Sequence, residues 1–174
     1  MHEQPLHSDK CTAWCAISGL GVIGPLWFEE DERSVPITKE RYIEKIRTFQ
    51  QALIDRGINL EEQWLMQDGA TPHTANLTMT FLNENFNGRL ISKRSDFVWA
   101  PRSPDLNPLD FFLWGYCKSN VYRSKPKTIT ELKSEVERFL AEIPLDMCQR
   151  VIGNFRKRID KCIACNGANF EYKK

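Results

Sequence analysis

The stretch "WLMQDGATPHTA", residues 64–75, decides the class of fold. An apolar run ends at a lone Asp68, Gly69 follows, and Thr71-Pro72 marks a helix start, with threonine as N-cap and proline at the first helical position, where its missing N–H costs nothing. The run at 63–67 predicts a strand that delivers Asp68 to its carboxyl end. The segment after it predicts a helix carrying Leu77, Met79, Phe81 and Leu82 until Asn87-Gly88 stops it. A strand feeding directly into a helix is the repeating joint of α/β proteins.

Working outward toward the amino terminus, Thr38 is a plausible N-cap for a helix with Tyr42, Ile46, Phe49 and Leu53 on one face, ended by "DRG" at 55–57. Before it, the apolar runs 10–17 and 22–28, joined by "SGLG", predict a β-hairpin, with Pro25 placing the second strand at a sheet edge. Residues 1–9, "MHEQPLHSD", are polar and lack the continuous apolar pattern of a central strand. Toward the carboxyl terminus, 89–92 and 96–100 predict one further strand region, and a helix begins near Pro108 and runs through "LDFFLWGYCKSNVY". Two more helices follow, one opened by a Thr128-x-x-Glu131 capping box and one from about Leu145 to Cys165. The order predicts one α/β domain: a hairpin at 10–30, a core at 38–125 and C-terminal helices at 126–174.

Composition narrows the class. The 174 residues are 41% hydrophobic, as in a single globular domain, and 24 basic residues against 23 acidic ones leave net charge uninformative. The distribution carries more. Between Phe86 and Thr128 there are eight basic residues (Arg89, Lys93, Arg94, Arg102, Lys118, Arg123, Lys125, Lys127) against three acidic ones (Asp96, Asp105, Asp110), a band that either meets phosphates or forms a solvated face. Six cysteines in scattered contexts, with no signal-peptide pattern, suggest free thiols in a reducing intracellular setting. Cys162 and Cys165 have zinc-knuckle spacing but only half the ligands. No run of about 20 apolar residues could span a membrane. No glycine loop for phosphates and no nucleophile–base motif points to a small-molecule substrate.

Asp68 at a strand end and Asp110 in the first turn of a helix occupy the positions where α/β sheets place their sites. Each alone can be a turn or dipole-complementing residue. Together they suit a hard divalent cation, and phosphoryl transfer on nucleic acid commonly uses two Mg²⁺ or Mn²⁺ ions held by carboxylates, which calls for a third acid. Trp99 and Trp114 suit a core better than base stacking.

Three stretches, "MQDGATPHTA" (66–75), "APRSPDLNPLDFFLWGYCKSNVY" (100–122) and "VIGNFRKRIDKCIACNGANFEY" (151–172), resemble the C-terminal two thirds of the catalytic domain of mariner-superfamily (DDE/D) transposases, especially insect copies; "AWCAISGLGVIGPLWFEE" (13–30) resembles the hairpin before them. The resemblance implies a ribonuclease-H-like, retroviral-integrase-like sheet with flanking helices, an acidic triad using Mg²⁺ or Mn²⁺, cleavage and strand transfer of DNA, a nuclear location, and a homodimer or a full-length transposase as partner. Asp68 matches the second triad member and Asp110 the third, both as catalytic metal ligands. His73 and Asp105 match supporting positions, and Arg102, Lys93, Arg94, Lys118 and Arg123 are the candidate DNA contacts. The strand bearing the family's first aspartate has no counterpart, so the resemblance implies a sheet without its first central strand and a domain that is catalytically incomplete alone. An alternative is a host-adopted DNA-binding or protein-interaction module without catalysis; another is a reading frame that extends upstream of Met1.

Overall fold

The computed structural model describes residues 10–168 and residue 170, so the reading of residues 1–9 lies outside the described residues. The chain opens with the expected hairpin: β1 (Ala13–Ser18) pairs antiparallel with β2 (Gly21–Trp27), with an irregularity between Trp14 and Ala16. Gly24 sits opposite that irregularity at φ +118°, where a Cβ would stand 2.8 Å from the Trp14 carbonyl oxygen, so the close approach of the two strands requires glycine there. A two-residue ribbon, β3 (Glu29–Glu30) with β4 (Arg33–Ser34), leads into helix α1 (Lys39–Asp55). Thr38 Oγ1 accepts the Arg41 N–H at 3.3 Å, the cap read from sequence, and Tyr42, Ile43, Ile46, Phe49 and Leu53 form the buried face.

Strand β5 (Leu65–Met66) lies parallel to β6 (Leu90–Ser92), which is parallel in turn to β7 (Phe97–Val98). Asp68 leaves β5 two residues after its last paired position. The helix expected as one piece from Thr71 is two: α2 (Thr71–Thr74) and α3 (Asn76–Asn85), separated by Ala75 in extended conformation. Thr71 does not cap it. Ala70 occupies the cap position, and the turn is held instead by Asp68, whose Oδ1 accepts the Ala70 N–H at 3.1 Å. Thr78 Oγ1 donates to the Pro72 carbonyl at 2.7 Å, tying α3 back across the break. The single strand region expected at 89–100 is likewise two strands, because Ser92 and Ser95 bond to each other across a tight turn.

The helix near Pro108 opens with a wide π-helical turn, Leu109–Leu113, before α4 (Trp114–Val121). Helix α5 (Ile129–Ala141) is capped by Thr128, whose Oγ1 accepts the Glu131 N–H, while Glu131 reaches back to the Lys127 N–H rather than to Thr128. Helix α6 (Leu145–Ala164) closes the domain.

Two apolar cores result. One joins α1, α3, β5 and β6 through Ile46, Leu82, Leu65 and Leu90; the other joins β1, α4 and α5 through Cys15, Val121 and Leu140. Trp99 is buried and Trp114 packs on the second core, so neither stands free as a stacking platform. The hairpin and the three-stranded sheet share no ladder: β1 pairs only with β2 and β5 only with β6 among the described strands. No helix among the described residues is long and apolar enough to cross a membrane, and all six cysteines are free.

Candidate metal and nucleic-acid site

The Asp68 corner is built on a buried polar network. Gln67, the buried polar residue that follows β5, accepts the Tyr42 hydroxyl at 2.7 Å and donates to Ser92 Oγ at 2.9 Å and to the His73 carbonyl at 3.0 Å. Tyr42 also stacks on the His73 ring, centroids 4.3 Å apart. His73 is therefore fixed from two sides, and its Nδ1 lies 2.6 Å from Asp68 Oδ1. Nδ1 finds no partner along its own N–H direction, so this contact is close rather than well aimed. The His73 contact, helped by the Ala70 N–H and opposed by partial burial, holds the Asp68 carboxyl below the usual aspartate range.

Asp110 stands in the opening turn of the π-helical segment, positioned by Asn107, whose Oδ1 accepts the Leu109 N–H and whose carbonyl accepts the Asp110 N–H. Partial burial first, and then the negative charge of Asp68, push the Asp110 carboxyl upward. That mutual influence, and a shared recess, bring the two aspartates together. Lys93, Arg102 and Asn107 line the same recess. Gly69 leaves room for the Lys93 stem, which would lie 3.4 Å from a Cβ at that position. Arg102 is held at φ +57°, in the left-handed region uncommon for a non-glycine residue.

The other candidate residues lie elsewhere. Arg94 Nη1 is occupied by the Thr74 carbonyl and Asn76 Oδ1, clamping the break between α2 and α3. Lys118 on α4 and Arg123 just after it do not line the recess, and neither does Asp105. Asp105 is buried in the loop before the π-helical turn, its Oδ2 without a hydrogen-bond partner and its carbonyl accepting from Arg158 Nε of α6. Cys162 and Cys165 gather no further ligands; no group of three or more His, Cys, Asp or Glu able to hold a metal occurs among the described residues. Sequence reasoning missed Gln67, Tyr42 and Asn107. The one available signal was Gln67 itself, a polar residue directly after the apolar Trp64-Leu65-Met66 run.

No family model matches the chain. Among solved structures, the catalytic domain of Mos1 transposase with raltegravir and Mn superposes with a TM-score of 0.75 at 21% identity, covering 94% of this chain and 82% of that one. The fold is that of a mariner transposase catalytic domain. It is ribonuclease-H-like, as the sequence resemblance implied. The Mos1 mariner paired-end complex with Mn also superposes, with a TM-score of 0.75 at 20% identity, covering 98% of this chain and 51% of that one. A curated relative, the human histone-lysine N-methyltransferase SETMAR, is 25% identical over 173 residues; the alignment covers 95% of this chain and 23% of the human protein, so the chain spans about a quarter of that relative's length.

The opposed shifts at the two aspartates give a stability prediction. A carboxyl whose folded pKa is raised is penalised by folding once ionised, so Asp110 lowers stability at neutral pH and ceases to do so below its unfolded pKa of about 4. Asp110→Asn should therefore raise Tm at pH 7 and leave it unchanged near pH 3. Thermal scans at the two pH values check this; no gain at pH 7 would mean that neither partial burial nor the charge of Asp68 penalises the ionised Asp110 carboxyl.

Proposed function

We propose that the chain is a transposon-derived transposase catalytic domain that binds DNA, and that Asp68 and Asp110 are its remaining metal-binding carboxylates. The observation that carries the reading is the convergence of the two aspartates on one recess, close enough for the charge of Asp68 to raise the Asp110 carboxyl. Their chemistry fits the cation the fold family uses. Mg²⁺ and Mn²⁺ take hard oxygen donors, and Mg²⁺ is commonly held by one or two carboxylates, with waters and substrate phosphates completing the shell. The cation would supply charge neutralisation and polarisation at a phosphodiester.

The chain's own residues do the rest. His73 and the Ala70 N–H keep Asp68 ionised and turned toward the recess. Asn107 sets the start of the π-helical turn that presents Asp110, and Lys93 and Arg102 offer cationic contacts to a phosphate backbone. Asp105, Arg94, Lys118 and Arg123 stand off this recess and act through the loop, the helix break and the wider basic surface. With two carboxylates and no third acidic ligand among the described residues, the domain binds metal weakly and cleaves poorly or not at all alone. Such chemistry belongs in the nucleus, with DNA and a second transposase subunit as partners.

The test is Mn²⁺ binding followed by paramagnetic resonance, paired with cleavage of a labelled DNA duplex, in the parent and in Asp68→Asn. The expected result is weak Mn²⁺ binding that the substitution abolishes, with no cleavage by either protein. Equal Mn²⁺ binding by both would sink the site. Cleavage by the parent that Asp68→Asn removes would keep the site and overturn its incompleteness.

A further inference from the structure

The basic run "NFRKRIDK" at 154–161 reads as a solvated face, and Arg156 and Lys157 fit that reading, both exposed on α6. Arg158, the next residue, is half-buried and turned toward the rest of the domain. Its Nε donates to the Asp105 carbonyl, in the loop ahead of the π-helical turn, and its guanidinium lies 4.0 Å from the centroid of the Phe111 ring inside that turn. One planar group thus holds both flanks of the segment 105–111, with Asn107 and Asp110 between them. A second ring covers it. Beyond α6 the chain reverses at Gly167, at φ +78° with its N–H on the Cys162 carbonyl, and Phe170 stands 5.2 Å from the same guanidinium.

The segment's own hydrogen bonds are local. In the π-helical turn the Trp114 N–H reaches back to the Leu109 carbonyl, five residues away. The Asp110 and Phe111 N–H groups share the Asn107 carbonyl, each at 2.9 Å, and the Asn107 N–H bonds to the Pro104 carbonyl at 3.1 Å. The Arg158 bond spans 53 residues of sequence and ties the segment to α6, itself anchored by buried Cys148 and Val151. Arginine suits this work because a guanidinium stacks with its face while it donates from its edge, which the point charge of a lysine cannot do.

We propose that Arg158 is a positioning residue for Asp110: bonded to one flank of the segment and stacked on the other, it fixes the direction in which the Asp110 carboxylate faces Asp68 and a cation between them. It touches neither metal nor substrate. This role rests on the reading of Asp110 as a metal ligand, and its effect has the opposite sign to that of charge alone. A positive charge near a cation site opposes binding, so its removal would tighten Mn²⁺ through space. Release of a positioned ligand weakens Mn²⁺ instead.

The experiment compares the full chain with Arg158→Gln, which removes the charge and the bonded, stacked guanidinium, and Phe111→Leu, which keeps the charge and removes the ring. Amide hydrogen exchange read by NMR at Asp110 and Phe111, with the amides of α1 as reference, reports on the segment without any metal. Mn²⁺ binding followed by paramagnetic resonance reports on the site. The expected result is exchange about tenfold faster at Asp110 and Phe111 in both variants, with α1 unchanged, and Mn²⁺ bound several-fold more weakly by both. Unchanged exchange at the two residues would overturn the proposal. So would exchange that quickens equally in α1, which would make Arg158 an ordinary contributor to stability, and so would Mn²⁺ binding by Arg158→Gln that is unchanged or tighter. If Arg158→Gln does not fold, Phe111→Leu decides by the same two readings. If the parent binds no Mn²⁺, the metal reading fails, and the exchange rates alone decide whether Arg158 holds Asp110.

Discussion

Gln67→Leu is expected to lower the melting temperature by about 6–12 °C in a thermal scan followed by circular dichroism. Leucine fills nearly the same volume, so the cost comes from stranded partners rather than from a cavity. Gln67 is 7% exposed and serves three groups, the buried Tyr42 and Ser92 hydroxyls and the half-buried His73 carbonyl. Leaving a buried polar group unpaired costs about 1–3 kcal/mol, and three such losses, partly relieved by relaxation, come to roughly 3 kcal/mol. In a domain of this size each kcal/mol moves Tm by about 2–4 °C. The Tyr42→Phe, Gln67→Leu double variant should lose less than the sum of the single ones, because removing the hydroxyl removes one stranded group. A shift under about 2 °C for Gln67→Leu would mean that water replaces the amide and that the network does not hold the corner. The same loss releases the His73 carbonyl, so Mn²⁺ affinity should fall with it even though residue 67 touches no metal.

This network also marks where the sequence stopped being legible. The hairpin, α1 with its Thr38 cap, α5 with its Thr128 cap and α6 could all be read from periodicity and caps, since each depends on residues within a few positions of one another. The split at Ala75 could not. Its cause is tertiary: Asp68 caps the turn ahead of α2, Thr78 bonds back to Pro72, and Arg94 clamps the break from beyond β6. The π-helical opening at Leu109–Leu113 was equally hidden, because its residues suit an ordinary helix. The pairing of Asp68 with Asp110 was suggested by their positions at a strand end and a helix start. What those positions did not reveal was which cations join them: five basic residues looked equivalent along the chain, yet folding brings only Lys93 and Arg102 of those five to the recess.

That division sets the salt dependence expected of DNA binding. Each cation that neutralises a phosphate contributes about 0.9 to the slope of log affinity against log salt, through release of condensed counterions. If Lys93 and Arg102 both meet the backbone, the Lys93→Ala, Arg102→Ala variant should lose about two units of slope and, at 0.1 M salt, roughly 60-fold in affinity for a duplex of any sequence. Lys118→Ala with Arg123→Ala removes the same formal charge from a surface away from the recess, so its effect on slope should be smaller. Arg94→Ala should instead appear in stability, because its guanidinium already holds the Thr74 carbonyl and Asn76. Fluorescence anisotropy of a labelled duplex titrated at several salt concentrations separates the cases. Equal slope losses for the two double variants would mean that DNA tracks the wider basic face. A loss confined to Lys118 and Arg123 would move the path of DNA off the aspartates altogether, and the metal-site reading would lose its substrate.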